Sequence, residues 1–418
     1  MDPNFADAHV ALGTAHFGLY EYSQAAASLK NAFDLRDRVS QRERFFIETN
    51  YYNLVTGKLE KFRDTLLEWA RTYPRDYLPH TNVSTCYRFT GQFEKAVSEA
   101  RLGLDLSPDN VGAVYTLMIG YIRMDRFDEA KRVYEEARAR KLDSPLMHYG
   151  RYLVAFVEHD DATMRDLIES AKGKPLTEDL MLMAQAGVQS YHGRLKQARE
   201  LSGAATDLAA KAGSSDRAAL WKTWVALWEA EIGNPERARS LTSEALALST
   251  DQDVSISLAL AFATSGDLVH AKKIADQLAH EHPLDTGIQR YQVPMTRAVI
   301  ALKLNRPYEA IDALSASLPD DLGPSALMPA YLRGLAYLQA GNGRQAAGEF
   351  QKVIDHPGIV EMEVRGALSH LQLGRAQAMM GDKDAARKSY QDFLTLWKDA
   401  DSDTPIYKQA KAEYARLR

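Results

Sequence analysis

The sequence predicts an all-α fold, an α-solenoid of about eleven short helical hairpins closed by a C-terminal helix. Three observations predict it. A turn residue recurs at Tyr20, Gly57, Gly91, Asp125, Asp160, Gly193, Gly233, Gly266, Asn305, Gly341 and Gly381, at separations of 33 to 40 residues. Five residues after each turn stand Ala25, Phe62, Ala96, Ala130, Arg165, Ala198, Ala238, Ala271, Ala310, Ala346 and Ala386, of which nine are alanine. Seven residues before each turn stand Gly13, Asn50, Ser84, Met118, Leu153, Ala186, Ala226, Ala259, Ala298, Gly334 and Gly374, most of them small. Two helices that cross closely need a small side chain on each where they touch. One such hairpin cannot bury both of its faces, so the units must stack.

The unit is clearest from Tyr77 to Asn110. Val83, Cys86 and Tyr87 give its first helix an apolar side, and Gly91 ends that helix because glycine takes the left-handed conformation at little steric cost. Phe93 follows at the base of the turn. Val97, Ala100, Leu104 and Leu106 recur near the helical period on the second helix, and Pro108, which lacks an N–H, closes it.

The other units vary on this one. Pro74 and Pro283 repeat the closing proline. The weakest unit is Ser144–Thr177, where Leu153, Asp160 and Arg165 replace the small and glycine positions; it is expected to be a distorted joint. Longer connections fall near residues 233, 305 and 381, such as Leu318–Ser325, rich in proline, glycine and aspartate. The division expected is 1–403 for the array and 404–418 for a capping helix. Thr404 is placed to cap that helix with Pro405 at its first position. Ile406, Ala410, Tyr414 and Leu417 form its apolar stripe, with Lys408, Lys411, Glu413 and Arg416 outward. At the other end, Asp2-Pro3-Asn4-Phe5-Ala6 reads like the closing loop of a preceding unit, so more protein is expected upstream.

Composition bounds the function. At 45% hydrophobic and 26% charged residues, the chain is an ordinary folded one rather than a disordered one. The longest apolar stretch, Ile256–Ala263, is too short to cross a bilayer, and Met1–Tyr20 lacks the basic start and apolar segment of a signal peptide. A net charge of −5 argues against a nucleic-acid backbone as the main ligand. The single Cys86 rules out an internal disulfide.

Candidate chemistry reduces to packing. Gly341-Asn342-Gly343-Arg344-Gln345-Ala346 matches the dinucleotide fingerprint on paper, but it follows a helix instead of a strand and coincides with a repeat turn. His280-Glu281-His282 lacks the histidine spacing of a zinc-binding helix. His159-Asp160-Asp161 sits at a turn, where aspartates cap. Cys86 reads as core. Trp221, Trp224 and Trp228 lie on one helical face and are expected to pack between units. Arg132, Arg138, Arg140 and Lys141 are interleaved with Glu135 and Glu136, a solvated face. No catalytic, cofactor or metal site is expected.

The two-helix unit of about 34 residues, with a small residue early, Gly-x-[aromatic/Leu]-x-x-Ala at the turn and a closing proline, resembles the tetratricopeptide repeat along essentially the whole chain. The resemblance implies a right-handed superhelix whose first helices line a concave groove that holds a protein or peptide. Transferred to this register, the groove positions include Tyr51, Asn82, Thr85, Arg88, Tyr115 and Arg151. Tyrosine and arginine are also the residue types that dominate binding hot spots. Val10, Ile47 and Thr81 stand where the family's carboxylate clamp has lysine and asparagine, so capture of C-terminal tails is not expected. The segment LGRAQAMMGDKDAAR and the closing YQDFLTLWKDADSDTPIYKQAKAEYARLR resemble the C-terminal end of long bacterial proteins in which such an array follows a serine/threonine kinase or a winged-helix domain. The expected function is a non-catalytic interaction scaffold or sensor within a larger, cytoplasmic bacterial signalling protein, or an extracytoplasmic one if an upstream span exists. The alternatives are a free-standing adaptor, an array regulated by a small ligand, and an RNA-binding helical repeat.

Overall fold

A computed structural model describes residues 5–18, 21–142, 144–249, 251–323 and 325–417. The described residues form twenty-four α-helices and no strands. Eleven hairpins account for all but two of them. The first five are α1 (Ala6–Gly18) with α2 (Tyr22–Asp34), α3 (Gln41–Leu54) with α4 (Leu59–Thr72), α5 (Tyr77–Phe89) with α6 (Phe93–Leu106), α7 (Val111–Arg123) with α8 (Phe127–Ala139), and α9 (Pro145–Val157) with α10 (Asp161–Ala171). Next come α11 (Glu178–Tyr191) with α12 (Leu195–Lys211), α13 (Ser215–Ile232) with α14 (Pro235–Leu248), and α15 (Gln252–Ser265) with α16 (Leu268–Glu281). The last three are α17 (Val293–Lys303) with α18 (Pro307–Ala313), α19 (Met328–Gln339) with α20 (Gly343–Ile354), and α22 (Val364–Met379) with α23 (Lys383–Leu396). The four-residue α21 (Pro357–Val360) precedes the eleventh hairpin, and α24 (Pro405–Arg416) follows it. The fold is an α-solenoid.

The turn register has a conformational basis. Gly57, Gly91, Gly193, Gly233, Gly266, Gly341 and Gly381 have φ from 59° to 99°, and Asp125 and Asn305 take the same left-handed conformation at 57° and 59°. The first predicted turn residue, Tyr20, lies outside the described residues. In the fifth hairpin the register differs by one. His159 is the left-handed residue, at φ 58°, while Asp160 caps α10, accepting from the Thr163 N–H at 3.0 Å and hydroxyl at 2.6 Å. An aspartate next to a turn can serve either role, and here the capping role wins. The true second-helix contact is therefore Met164, half-buried, instead of the exposed Arg165.

The small residues are where the helices meet. Ala96, Ala130, Ala238, Ala271, Ala310, Ala346 and Ala386 are fully buried. A Cβ added at Gly13, Gly334 or Gly374 would fall 2.6 Å from Leu29, 2.6 Å from Phe350 or 2.8 Å from Tyr390, each on the partner helix of the same hairpin. Core side chains pack at close to crystal density and cannot absorb such an intrusion.

The array coils back on itself, so connectors of its second half land on turns of its first half. At the second hairpin, the Thr286 N–H donates to the Gly57 carbonyl at 3.0 Å, Leu59 N–H to the Thr286 hydroxyl at 3.2 Å, and Arg290 pairs with Glu60 at 2.5 Å. At the third, Gly91 abuts Leu322 and Gly323. At the fourth, the Gly358 N–H donates to Asp125 at 2.8 Å. At the sixth, the Trp397 indole N–H donates to the Tyr191 carbonyl at 2.8 Å, and the Asp401 N–H to Gly193 at 3.0 Å.

The terminal helix α24 packs its Tyr407 and Ala410 inward. Two expectations for it change. Pro405 is its first residue, but the Thr404 hydroxyl makes no cap and is buried without a partner. Glu413 does not face outward: it binds Arg375 at 2.9 and 3.0 Å and accepts from the Tyr390 hydroxyl at 2.7 Å.

Candidate binding groove

The first helices carry inward-facing tyrosines and arginines near their turns. Tyr115 lies ten residues before the turn residue Asp125, and with the turn at His159 its counterpart in the next unit is Tyr149. Arg123, two residues before Asp125, and Arg88, three before Gly91, reach the same space. That space is filled by the chain's own segment 356–363. Arg123 donates to the Gly358 carbonyl at 3.0 Å and the Ile359 carbonyl at 2.7 Å, and pairs with the Glu361 carboxylate. The Tyr149 hydroxyl donates to Glu361 at 2.9 Å. Burial pushes the Tyr115 and Tyr149 hydroxyls up, so both stay protonated. Burial pushes the Arg88 guanidinium down, with Tyr115 and Glu361 opposing that shift. Arg88 also leans over the Phe89 ring at 4.8 Å, and its Nε is buried without a partner.

The segment continues along the face. Met362 is buried beside Gly187, and the Glu363 carboxylate accepts from the Trp228 indole at 3.3 Å. Glu361 holds φ 61° and ψ −137°, a conformation that costs a non-glycine residue about 1–3 kcal/mol. Beyond it, Arg365 is buried between Glu363 at 3.2 Å and Glu231 at 3.4 Å. Burial pushes Glu231 up to about 7, and Arg365 only partly opposes that.

Of the six residues read from sequence, the structure brings Arg88 and Tyr115 together around this segment. Asn82 and Thr85 are half-buried on the same helix as Arg88. Tyr51 stacks on Phe33 of α2 at 3.9 Å between ring centroids. Arg151 is elsewhere. It is two residues from Tyr149, hence on the opposite side of α9, and lies 3.6 Å from Asp160 and 3.4 Å from the Thr163 hydroxyl. The register slip does not account for this: Arg151 stands nine residues before Asp160, and Gly150 nine before His159. Arg123 and Glu361 were missed; neither carries a periodic signal in the sequence.

The remaining candidates are structural. Trp221 is buried and donates to Asp179 at 2.9 Å, while Trp224 is 38% exposed against it. Cys86 is buried and its thiol is pushed up to about 12 by burial, the opposite of what a nucleophile requires. Gly341 and Gly343 form the α19–α20 turn. No described helix is long and apolar enough to cross a membrane.

Residues 369–400, most of the eleventh hairpin, match the family model described as tetratricopeptide repeat. The same hairpin, with the same turn and a buried alanine at most units, recurs along the array. Among solved structures it is similar to yeast Tom70, at 11% identity over 100% of this chain and 96% of that one, with a TM-score of 0.39. It is also similar to human IFIT1 in a dimer with PPP-AAAA, at 15% identity over 86% and 85%, with a TM-score of 0.45. A third similar structure is the APC/C Cut9–Hcn1 hetero-tetramer, at 14% identity over 99% and 90%, with a TM-score of 0.36.

Proposed function

We propose that this chain is a non-catalytic protein–protein interaction scaffold whose first-helix face holds peptide segments. One observation carries the reading: a helical turn and the residues that follow it, 358–363, already lie on that face, held through two successive backbone carbonyls and a carboxylate. Main-chain contacts of that kind supply affinity without sequence, and a side-chain pocket adds specificity. Tyr51, Asn82 and Thr85, on α3 and α5, are the positions for a partner in trans; Arg88 and Tyr115 border the stretch held in cis. In its finer form, the proposal makes the array the sensing or scaffolding part of a larger bacterial signalling protein in the cytoplasm, beside a kinase or winged-helix domain. The resemblance of its C-terminal segment to such proteins supports that.

A photo-crosslinking residue at position 85, in the source cells, tests the first part. It is expected to capture a discrete protein that the same residue at the exposed position 136 of α8 does not. Equal capture at both positions, or none at 85, rejects the groove. For the second part, a native polypeptide in those cells no larger than this chain removes the upstream domain.

A further inference from the structure

A separate cleft opens on the far side of α9, between α8 and α10, with a volume of about 210 Å³. Arg151 forms its floor. The Arg151 side chain is only 11% exposed, and its Nη1 is buried without a hydrogen-bond partner. Its nearest carboxylate, Asp160, at 3.6 Å, is already committed to the Thr163 N–H and hydroxyl. The guanidinium therefore retains a buried donor with no acceptor from the protein, and buried donors are rarely left that way. Beside it, the Tyr134 hydroxyl and His148 Nδ1 are 3.1 Å apart and complete a polar floor. The rim is different. Glu135 and Asp166 line the cleft and are exposed, and Arg138 is the one added cation.

A cation at the bottom with two carboxylates at the mouth matches a molecule that carries both charges. We propose that this cleft binds a small zwitterion of the free amino-acid class. Its carboxylate takes the vacant Nη1 of Arg151 with the planar complementarity that guanidinium offers, and its ammonium stays at the rim against Glu135 and Asp166. A phosphate monoester would place two negative charges against those acids and is disfavoured. The cleft does not share the inner face with segment 356–363, so a ligand here does not displace that segment.

The test is calorimetric titration of the full chain with the proteinogenic amino acids, their 2-hydroxy-acid analogues, acetate and inorganic phosphate. One or a few amino acids are expected to bind saturably and raise the melting temperature, with the hydroxy-acid analogues weaker. Arg151→Gln is expected to lower that affinity about tenfold or more. The exposed pair Glu135→Gln and Asp166→Asn, which leaves the core untouched, is expected to weaken the amino acid and not its hydroxy analogue. Absence of saturable amino-acid binding overturns the proposal. So does phosphate or acetate binding as well as any amino acid, or an affinity that survives the rim substitutions.

Discussion

Arg123→Ala probes the contact that ties the two halves of the array together. The wild-type side chain donates to two backbone carbonyls, at 3.0 and 2.7 Å, and pairs with Glu361 across 238 residues of sequence. Arg123 and Glu361 are 18% and 16% exposed. Breaking a fully buried pair from one side costs about 3–5 kcal/mol, because the surviving charge is stranded. Partial exposure and the remaining Tyr149 hydroxyl reduce that, while loss of the carbonyl contacts adds to it, so about 3 kcal/mol is expected. Urea unfolding followed by far-ultraviolet circular dichroism measures the loss directly. The double variant Arg123→Ala, Glu361→Ala is expected to lose less than the sum of the two single variants, since the second substitution removes the stranded charge. The transition is also expected to broaden as the halves separate in stability. A loss under about 0.5 kcal/mol, the level of an ordinary surface site, together with additive single variants, would refute the role given to this contact.

Three other outcomes are expected. Ala96→Leu and Ala271→Leu, at fully buried helix crossings, should each destabilise by roughly 1–3 kcal/mol through overpacking; a chemical midpoint unchanged for both would discard the repeat register. Gly193→Ala combines a φ of 72° with a Cβ placed 2.7 Å from Trp397 and Ala400; it should cost about 2 kcal/mol or more, seen as a lower midpoint and a shifted Trp fluorescence. Glu231, raised to about 7 by burial, holds its proton in the folded state after the unfolded chain has lost it. Its contribution is therefore present below the unfolded carboxyl range and is lost as pH rises toward 7, roughly 3 kcal/mol if the shift is fully expressed. Glu231→Gln should flatten the fall in midpoint between pH 5 and 7; a slope identical to wild type would place that pH dependence elsewhere.

The repeat was legible because its signals are local. Gly91 and Ala96 are five residues apart, and the same pair of requirements, a left-handed turn and a close crossing, recurs at each unit. The one slip in the register, at Asp160, arose where a residue suited to both turn and cap took the cap. The clasp was illegible for a different reason. Nothing near Glu361 in the sequence announces that Arg123 and Tyr149 lie against it, because the coil of the array, not any motif, brings them together. Gly358 is a case in point: its lack of a side chain matters only because the Ile122 carbonyl would stand 1.9 Å from a Cβ there.

The distance along the chain between Arg123 and Glu361 also sets an order of events during synthesis. Ribosomes add roughly 5–20 residues per second, so the fourth hairpin emerges about ten to fifty seconds before the segment that covers it. Throughout that interval Arg123, Tyr149 and Gly187, on α7, α9 and α11, lack the segment that meets them in the finished fold. The nascent chain thus passes through a stage at which its own groove is vacant, and whatever occupies it at that moment competes with residues not yet translated.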